Sequence, residues 1–217
     1  MPAFDDFDIQ CIPIAQSVSP TLPTELWLQI LERADVHDAV HLWTTVRHVS
    51  RNFRDYVERL FTSIYLPNAT ISLALPRRDP TTGALKWPGT PIPGAQIIFL
   101  FDTFAPDQHH VLFRSPEVLG AGSEARSVEE LRHTNVLPKE RLQEALPWVN
   151  NGKNPLTGLS MSVSGKLDWD NESKTWTWEI DWRKLMTHFS QAKNEARLKR
   201  DAVPTVGKRL VRSHVQR

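Results

Sequence analysis

Met161-Ser-Val-Ser-Gly-Lys-Leu-Asp-Trp-Asp170-Asn-Glu-Ser-Lys-Thr-Trp-Thr-Trp-Glu-Ile-Asp-Trp182 sets the architecture of this chain. Met161, Val163, Leu167 and Trp169 occupy odd positions, with Ser162, Ser164, Lys166 and Asp168 between them. Trp176, Trp178, Ile180 and Trp182 then occupy even positions, separated by Thr177, Glu179 and Asp181. Both runs follow the period of two that strands impose, and Asp170-Asn-Glu-Ser173 is turn chemistry. The stretch therefore predicts an antiparallel hairpin with one apolar face. A one-residue slip would set the tryptophans opposite Ser and Asp, which leaves two registers: Trp169 faces either Trp176 or Lys174. The Trp row is expected to pack as core against a C-terminal helix. The sharper alternative is an aromatic platform for a peptide, a sugar or a base.

Working outward, Asp181 suits a helix cap, and Leu185, Phe189, Ala192 and Ala196 follow at spacings of four, three and four. That stripe ends in Arg197-Leu-Lys-Arg200, and residues 201–217 are expected to form a basic disordered tail. Upstream, Ile71-Ser-Leu-Ala-Leu75 alternates as a strand and feeds a Pro/Gly-rich loop running to Gly94. Ala95–Phe104 and His110–Phe113 flank Ala105-Pro-Asp-Gln108, the pattern of two strands and a tight corner. Short helices are expected around Val128–His133 and Lys139–Ala145. No repeat of fixed period is present.

Between Thr21 and Tyr65 there is no glycine, and three amphipathic pieces can be drawn. In the first, Pro23 suits the opening helical position, Glu25 the positive end of the helix dipole, and Leu26, Ile30 and Leu31 one face. Trp27 and Leu28 point elsewhere, so this piece has more than one stripe to bury. Val36, Val40, Trp43 and Val46 form a second stripe, and Val49, Phe53, Val57, Leu60 and Ile64 a third. Three helices this short make a poor core alone and require the following domain or a partner. Residues 1–20, with several acids and three prolines, are expected to form a flexible lead-in.

The 217 residues carry a net charge of +1, but unevenly. From Arg183 to Arg217 ten Lys/Arg stand against two Asp/Glu, so a basic tail follows a mildly acidic body. One cysteine, Cys11, excludes a disulfide framework and points to a reducing compartment. The longest apolar run, Ala95 to Phe101, is too short to span a bilayer. An intracellular protein, cytoplasmic or nuclear, is expected.

Leu22-Pro-x-Glu-Leu-x-x-x-Ile-Leu31, followed by Leu42, Val46 and Val49-Ser-Arg-x-Phe-Arg54, resembles the F-box motif in its fungal form, over roughly residues 20–62. The resemblance implies a three-helix module that docks onto the Skp adaptor, and through it a cullin, in SCF ubiquitin ligases. It also implies that Leu22, Pro23, Leu26, Ile30 and Leu31, with Val46 and Val49, bind the partner. Two features depart from the family pattern. Ala34 stands near where a large apolar residue usually closes the first helix, and the link Asp35-Val-His-Asp-Ala39 is longer than the compact form.

Catalysis has little support. There is no phosphate-cradling glycine loop, nucleophile elbow or activated-cysteine context. His109-His110 near Asp102 and Asp107 are conceivable metal ligands, but polar hairpin tips are common and no companion His or Cys motif is present. No catalytic, cofactor-binding or metal-binding residue is assigned and no cofactor is expected. The chain is expected to be an α+β protein: a helical docking module over 21–65, then an antiparallel β domain with a C-terminal helix over 66–200. The expected function is a non-catalytic adaptor that presents a protein client to the ligase. Two other readings stay open: a stand-alone peptide- or ligand-binding β module whose helices are only structural, and a basic-tailed nuclear protein. Membrane association is not expected, and nucleic-acid binding is the weaker expectation.

Overall fold

The computed structural model describes residues 22–33, 39–75, 94–120, 122, 125–151 and 158–202. The lead-in, the Pro/Gly loop, Val36, Ala34 and the basic tail beyond Ala202 lie outside the described residues.

Among the described residues nine strands are formed: β1 (Ala69–Ala74), β2 (Gln96–Phe104), β3 (His110–Arg114), β4 (Val118–Leu119), β5 (Arg126–Ser127), β6 (Pro147–Asn151), β7 (Leu159–Ser160), β8 (Lys166–Asp170) and β9 (Thr175–Asp181). Seven of them make one sheet in the order β7-β6-β1-β2-β3-β9-β8, and every described pairing in it is antiparallel. β4 and β5 pair separately. The hairpin at 161–182 adopts the register that sets Trp169 opposite Trp176, with Leu167 opposite Trp178. Asp170 shapes its turn, accepting from the Glu172 amide at 3.0 Å and from the Ser173 hydroxyl at 2.7 Å. Just before β8, a Cβ on Gly165 would stand 2.4 Å from the Glu179 carbonyl oxygen, so only glycine admits this approach.

One face of the sheet is buried. Ile71, Leu73, Ile97, Phe99, Val111 and Phe113 are sealed from solvent, and Trp176, Trp178 and Ile180 extend the same layer. The other face carries Ser72, Thr177 and Glu179, together with the exposed Ile98 and Leu100. An antiparallel sheet with one solvated face produces this alternation. The expected core role of the Trp row is observed for Trp176, Trp178 and Trp182, whereas Trp169 is half-buried.

The helices are α1 (Thr24–Glu32), α2 (Ala39–Thr44), α3 (Arg51–Leu60), α4 (Val128–His133), α5 (Lys139–Glu144) and α6 (Trp182–Ala202). Asp181 caps α6, accepting from the Lys184 amide at 3.1 Å. Leu185, Met186 and Phe189 are buried, but Ala192 is half-buried and Ala196 exposed. The apolar stripe therefore ends sooner than its spacing implies, because a helix of 21 residues, about 30 Å long, outruns the layer it covers.

Ser50 caps α3 through the Phe53 amide at 3.3 Å, and Val57 and Leu60 face inward. A π-helical turn, Phe61–Tyr65, then widens the period. Phe61 and Tyr65 take the buried positions and Ile64, expected in the stripe, is 40% exposed.

The helical segment is not sealed off from the sheet. Trp43 of α2 is buried, 4.6 Å between ring centroids from Phe61 and 5.8 Å from Trp182, and its indole donates to the Thr187 hydroxyl at 3.1 Å. A single apolar cluster runs from Leu42 through Leu66 and Ala69 to Phe189. The passage from residue 65 to 66 changes the secondary structure without interrupting the packing.

Candidate functional site

The residues expected to contact a partner gather on and around α1. Its first turn is made by backbone bonds to the Pro23 carbonyl, from the Leu26 amide at 3.1 Å and the Trp27 amide at 3.2 Å, with Glu25 at the positive end of the dipole. Pro23 immediately precedes the helix. α1 leans on α3, where the Trp27 ring meets the Phe53 ring edge-on at 4.9 Å between centroids.

Beside Glu25 and Gln29, α1 leaves apolar side chains outside. Leu22 is 43% exposed, Leu26 42% and Ile30 51%, and Pro23 is exposed beside them. Leu26 and Ile30 are one turn apart on a single stripe. Val49, in the turn that leads into α3, is 67% exposed.

Two of the expected contact residues are placed otherwise. Leu31 is buried in the core. One residue past Ile30, it is turned by about 100° from it, so it does not share the face of Leu26 and Ile30. Val46 is half-buried and packs against the core from a 3₁₀ turn, Val46–His48. The set therefore divides into an exposed group, Leu22, Pro23, Leu26, Ile30 and Val49, and two residues used by the fold itself.

The polar cluster at the β2–β3 corner serves the fold. Asp107 accepts from the amides of His109 and His110 at 2.9 and 3.0 Å and pairs with the His110 imidazole at 2.6 Å. The imidazole bond comes first among the causes that draw the Asp107 carboxyl down to about 2, and the same bond raises the His110 pKa. His109 Nδ1 is 3.0 Å from the Arg183 guanidinium. Among the described residues no group of three or more His, Cys, Asp or Glu side chains could hold a metal ion.

Arg114 of β3 is the other polar hub. Its guanidinium donates twice to Asp102, at 3.0 and 2.9 Å, and once to Asp170 at 2.8 Å, tying β2 and the β8–β9 turn to the middle of the sheet. Bonds from the Ser173 hydroxyl and then Arg114 hold the Asp170 carboxyl well below the usual carboxylate range.

No family model, curated protein or solved structure matches the chain. Among the described residues no helix is long and apolar enough to cross a membrane.

One group was not singled out by sequence reasoning. The Arg132 guanidinium of α4 lies 4.7 Å from the Trp169 ring, which meets the Trp176 ring edge-on. Trp169 belongs to the Trp row weighed as an aromatic platform, but Arg132, 37 residues before it, lies in no motif, so no local signal joins the two.

Proposed function

We propose that the chain is a substrate-recruiting adaptor of an SCF-type ubiquitin ligase, docking onto the Skp adaptor through Leu22, Pro23, Leu26, Ile30 and Val49. The observation that carries this reading is the unburied stripe of α1. The helices α2 and α3 bury Leu42, Trp43, Val57 and Leu60 in the common core, while α1 keeps Leu26 and Ile30 outward although Trp27 and Leu31 already anchor it. Apolar residues spaced one turn apart and left in water supply the driving force for helix docking. In this mechanism no residue of the chain performs bond chemistry. The gain in ubiquitin transfer comes from raising the effective concentration of client lysines near the conjugating enzyme.

The test is co-purification with the Skp adaptor, comparing wild type with Leu26→Asp/Ile30→Asp, both checked by circular dichroism. Each buried side chain of this kind contributes about 1.5–3 kcal/mol, so the folded double variant is expected to bind at least about a hundredfold more weakly. A folded wild type that does not bind removes the ligase reading.

A second reading has its own support. The contacts of Trp43 with Trp182 and Thr187 favour a structural role for α2 and α3 within one β-based binding module. They leave α1 unexplained, which is why docking is preferred.

A further inference from the structure

Beside the β8–β9 hairpin the surface opens into a cleft of about 510 Å³, walled by Arg132, His133, Lys139, Glu140, Trp169 and Trp176. It is formed where α4 and the start of α5 cross the end of the sheet's buried face. Its aromatic floor is Trp169, half-buried, and Trp176, 3% exposed. The Trp176 indole Nε1 has no acceptor among the described residues.

The charges around the cleft do not cancel. Lys139 pairs with Asp168 at 3.0 Å, but Asp168 is shared with Lys166 at 2.7 Å, so one carboxylate answers two ammonium groups. Arg132 stacks on Trp169 and has no carboxylate partner among the described residues. A guanidinium seated over an indole and bound to no carboxylate keeps its N–H fork for one, which it can grip by two bonds. Glu129 is committed to Lys174 at 3.0 Å and Glu130 to Arg126 at 3.3 Å, so Arg132, Lys139 and Lys166 stand against Asp168 and the wall residue Glu140, an excess of one positive charge.

We infer that this cleft recognises the client, taking an aspartate or glutamate side chain of an extended peptide segment onto Arg132, with a neighbouring apolar residue of that peptide seated on Trp169. This inference rests on the adaptor reading for its biological sense and on the cleft's own chemistry for its ligand. Arg132 and Lys139 supply the charge complement to an acid. The two indoles supply the apolar seat.

The test uses the full chain and an array of 12-residue peptides with a central Asp or Glu flanked by aliphatic or aromatic residues, alongside the same peptides with Asn or Gln. The acidic set is expected to bind at least about tenfold more tightly, as charge-assisted hydrogen bonds exceed neutral ones. Arg132→Gln is expected to erase that preference and Arg132→Lys to restore only part of it. On the wild type, the indole N–H resonances of Trp169 and Trp176 are expected to shift on addition of the tightest peptide, a readout that needs no variant to fold. Equal binding of acid and amide peptides, absence of any binder, or unmoved indole resonances would overturn the inference. Skp capture run on the same preparation separates the two claims. Capture without acid preference sinks the cleft alone, and acid preference without capture sinks the adaptor reading alone.

Discussion

Glu58 and Arg183, 125 residues apart in sequence, are joined by an ion pair of 2.9 Å. The other oxygen of Glu58 accepts from Arg47 Nε at 2.9 Å. Arg47 lies over the Trp43 ring at 4.3 Å and Arg183 over the Trp182 ring at 4.5 Å. One carboxylate thus clamps two guanidiniums, each over one member of the Trp43–Trp182 pair, and binds α3 to the start of α6. Burial opposes ionisation of Glu58, but the bonds from Arg183 and Arg47 outweigh it and hold its pKa below 4.5.

Replacing Glu58 by Gln leaves both arginines without their counter-charge and is expected to cost about 1–3 kcal/mol in urea unfolding at neutral pH. Because the folded pKa is depressed, the wild-type contribution is complete above the unfolded value and is lost as pH falls through the folded one. The stability difference between wild type and Glu58→Gln should therefore shrink below about pH 4.5, and a difference that stays constant down to pH 3 would show that charge is not its source.

Trp43→Ala removes a ring that touches Phe61, Trp182 and Thr187 at once. It is expected to destabilise the whole chain by about 3–5 kcal/mol, with the helical and sheet signals lost in one transition. Two separated transitions would mean that the helices and the sheet do not share a core.

The two sides of α1 should answer differently. Leu31→Ala is expected to cost about 2–4 kcal/mol in thermal or urea unfolding, because its side chain is enclosed. Leu26→Ala is expected to stay within about 0.5 kcal/mol of wild type. Equal losses at both positions would mean that the outer stripe is covered after all.

The corner at Asp107 makes a titration prediction. His110 has its pKa raised by the Asp107 bond, so its favourable contribution is complete below the ordinary value of 6.5 and fades as pH rises through the folded value. Asp107, lowered to about 2, contributes above its ordinary value of 3.8 and loses that as pH falls through about 2. Following the His110 ring protons by NMR should give a midpoint above 6.5 that drops in Asp107→Asn. No movement in that variant would assign the shift to other neighbours.

Gly165→Ala forces a methyl against the Glu179 carbonyl and is expected to cost about 1–3 kcal/mol. A neutral result, measured by thermal unfolding, would show that the segment before β8 relaxes freely.

The sequence carried much of this fold where a single period ran unbroken. The second hairpin strand, the start of α6, β1 to β3, α4 and α5 lie within a residue or two of their expected spans, whereas the first hairpin run, expected from Met161, forms a strand only from Lys166. The hairpin register stayed open because two pairings both align the apolar faces, and only the turn, with Lys174 in the left-handed region at φ 55°, distinguishes them. β6 left no signal: Pro147-Trp-Val-Asn-Asn151 does not alternate, because Val149, Asn150 and Asn151 are all buried. Ile64 was misplaced by the π turn, which breaks the helical phase that pattern-reading assumes. Leu31 was misplaced for a simpler reason, since adjacent helical residues point in different directions. Of the cleft at Trp169 only the aromatic part was legible, as the platform alternative for the Trp row, because its cations come from segments with no motif of their own.

The packing of Trp43 on Thr187, 144 residues later, also has a consequence for how the chain is made. At about 5–20 residues per second, a ribosome needs roughly 7–30 s to reach Thr187 after Trp43 has been added. During that interval Trp43 lacks its contacts with Trp182 and Thr187, and any chain broken off before Trp182 never gains them. The last described helix thus acts as a seal on synthesis. A finished chain hides this surface, and an unfinished one displays it to the chaperones and proteases that recognise exposed apolar groups.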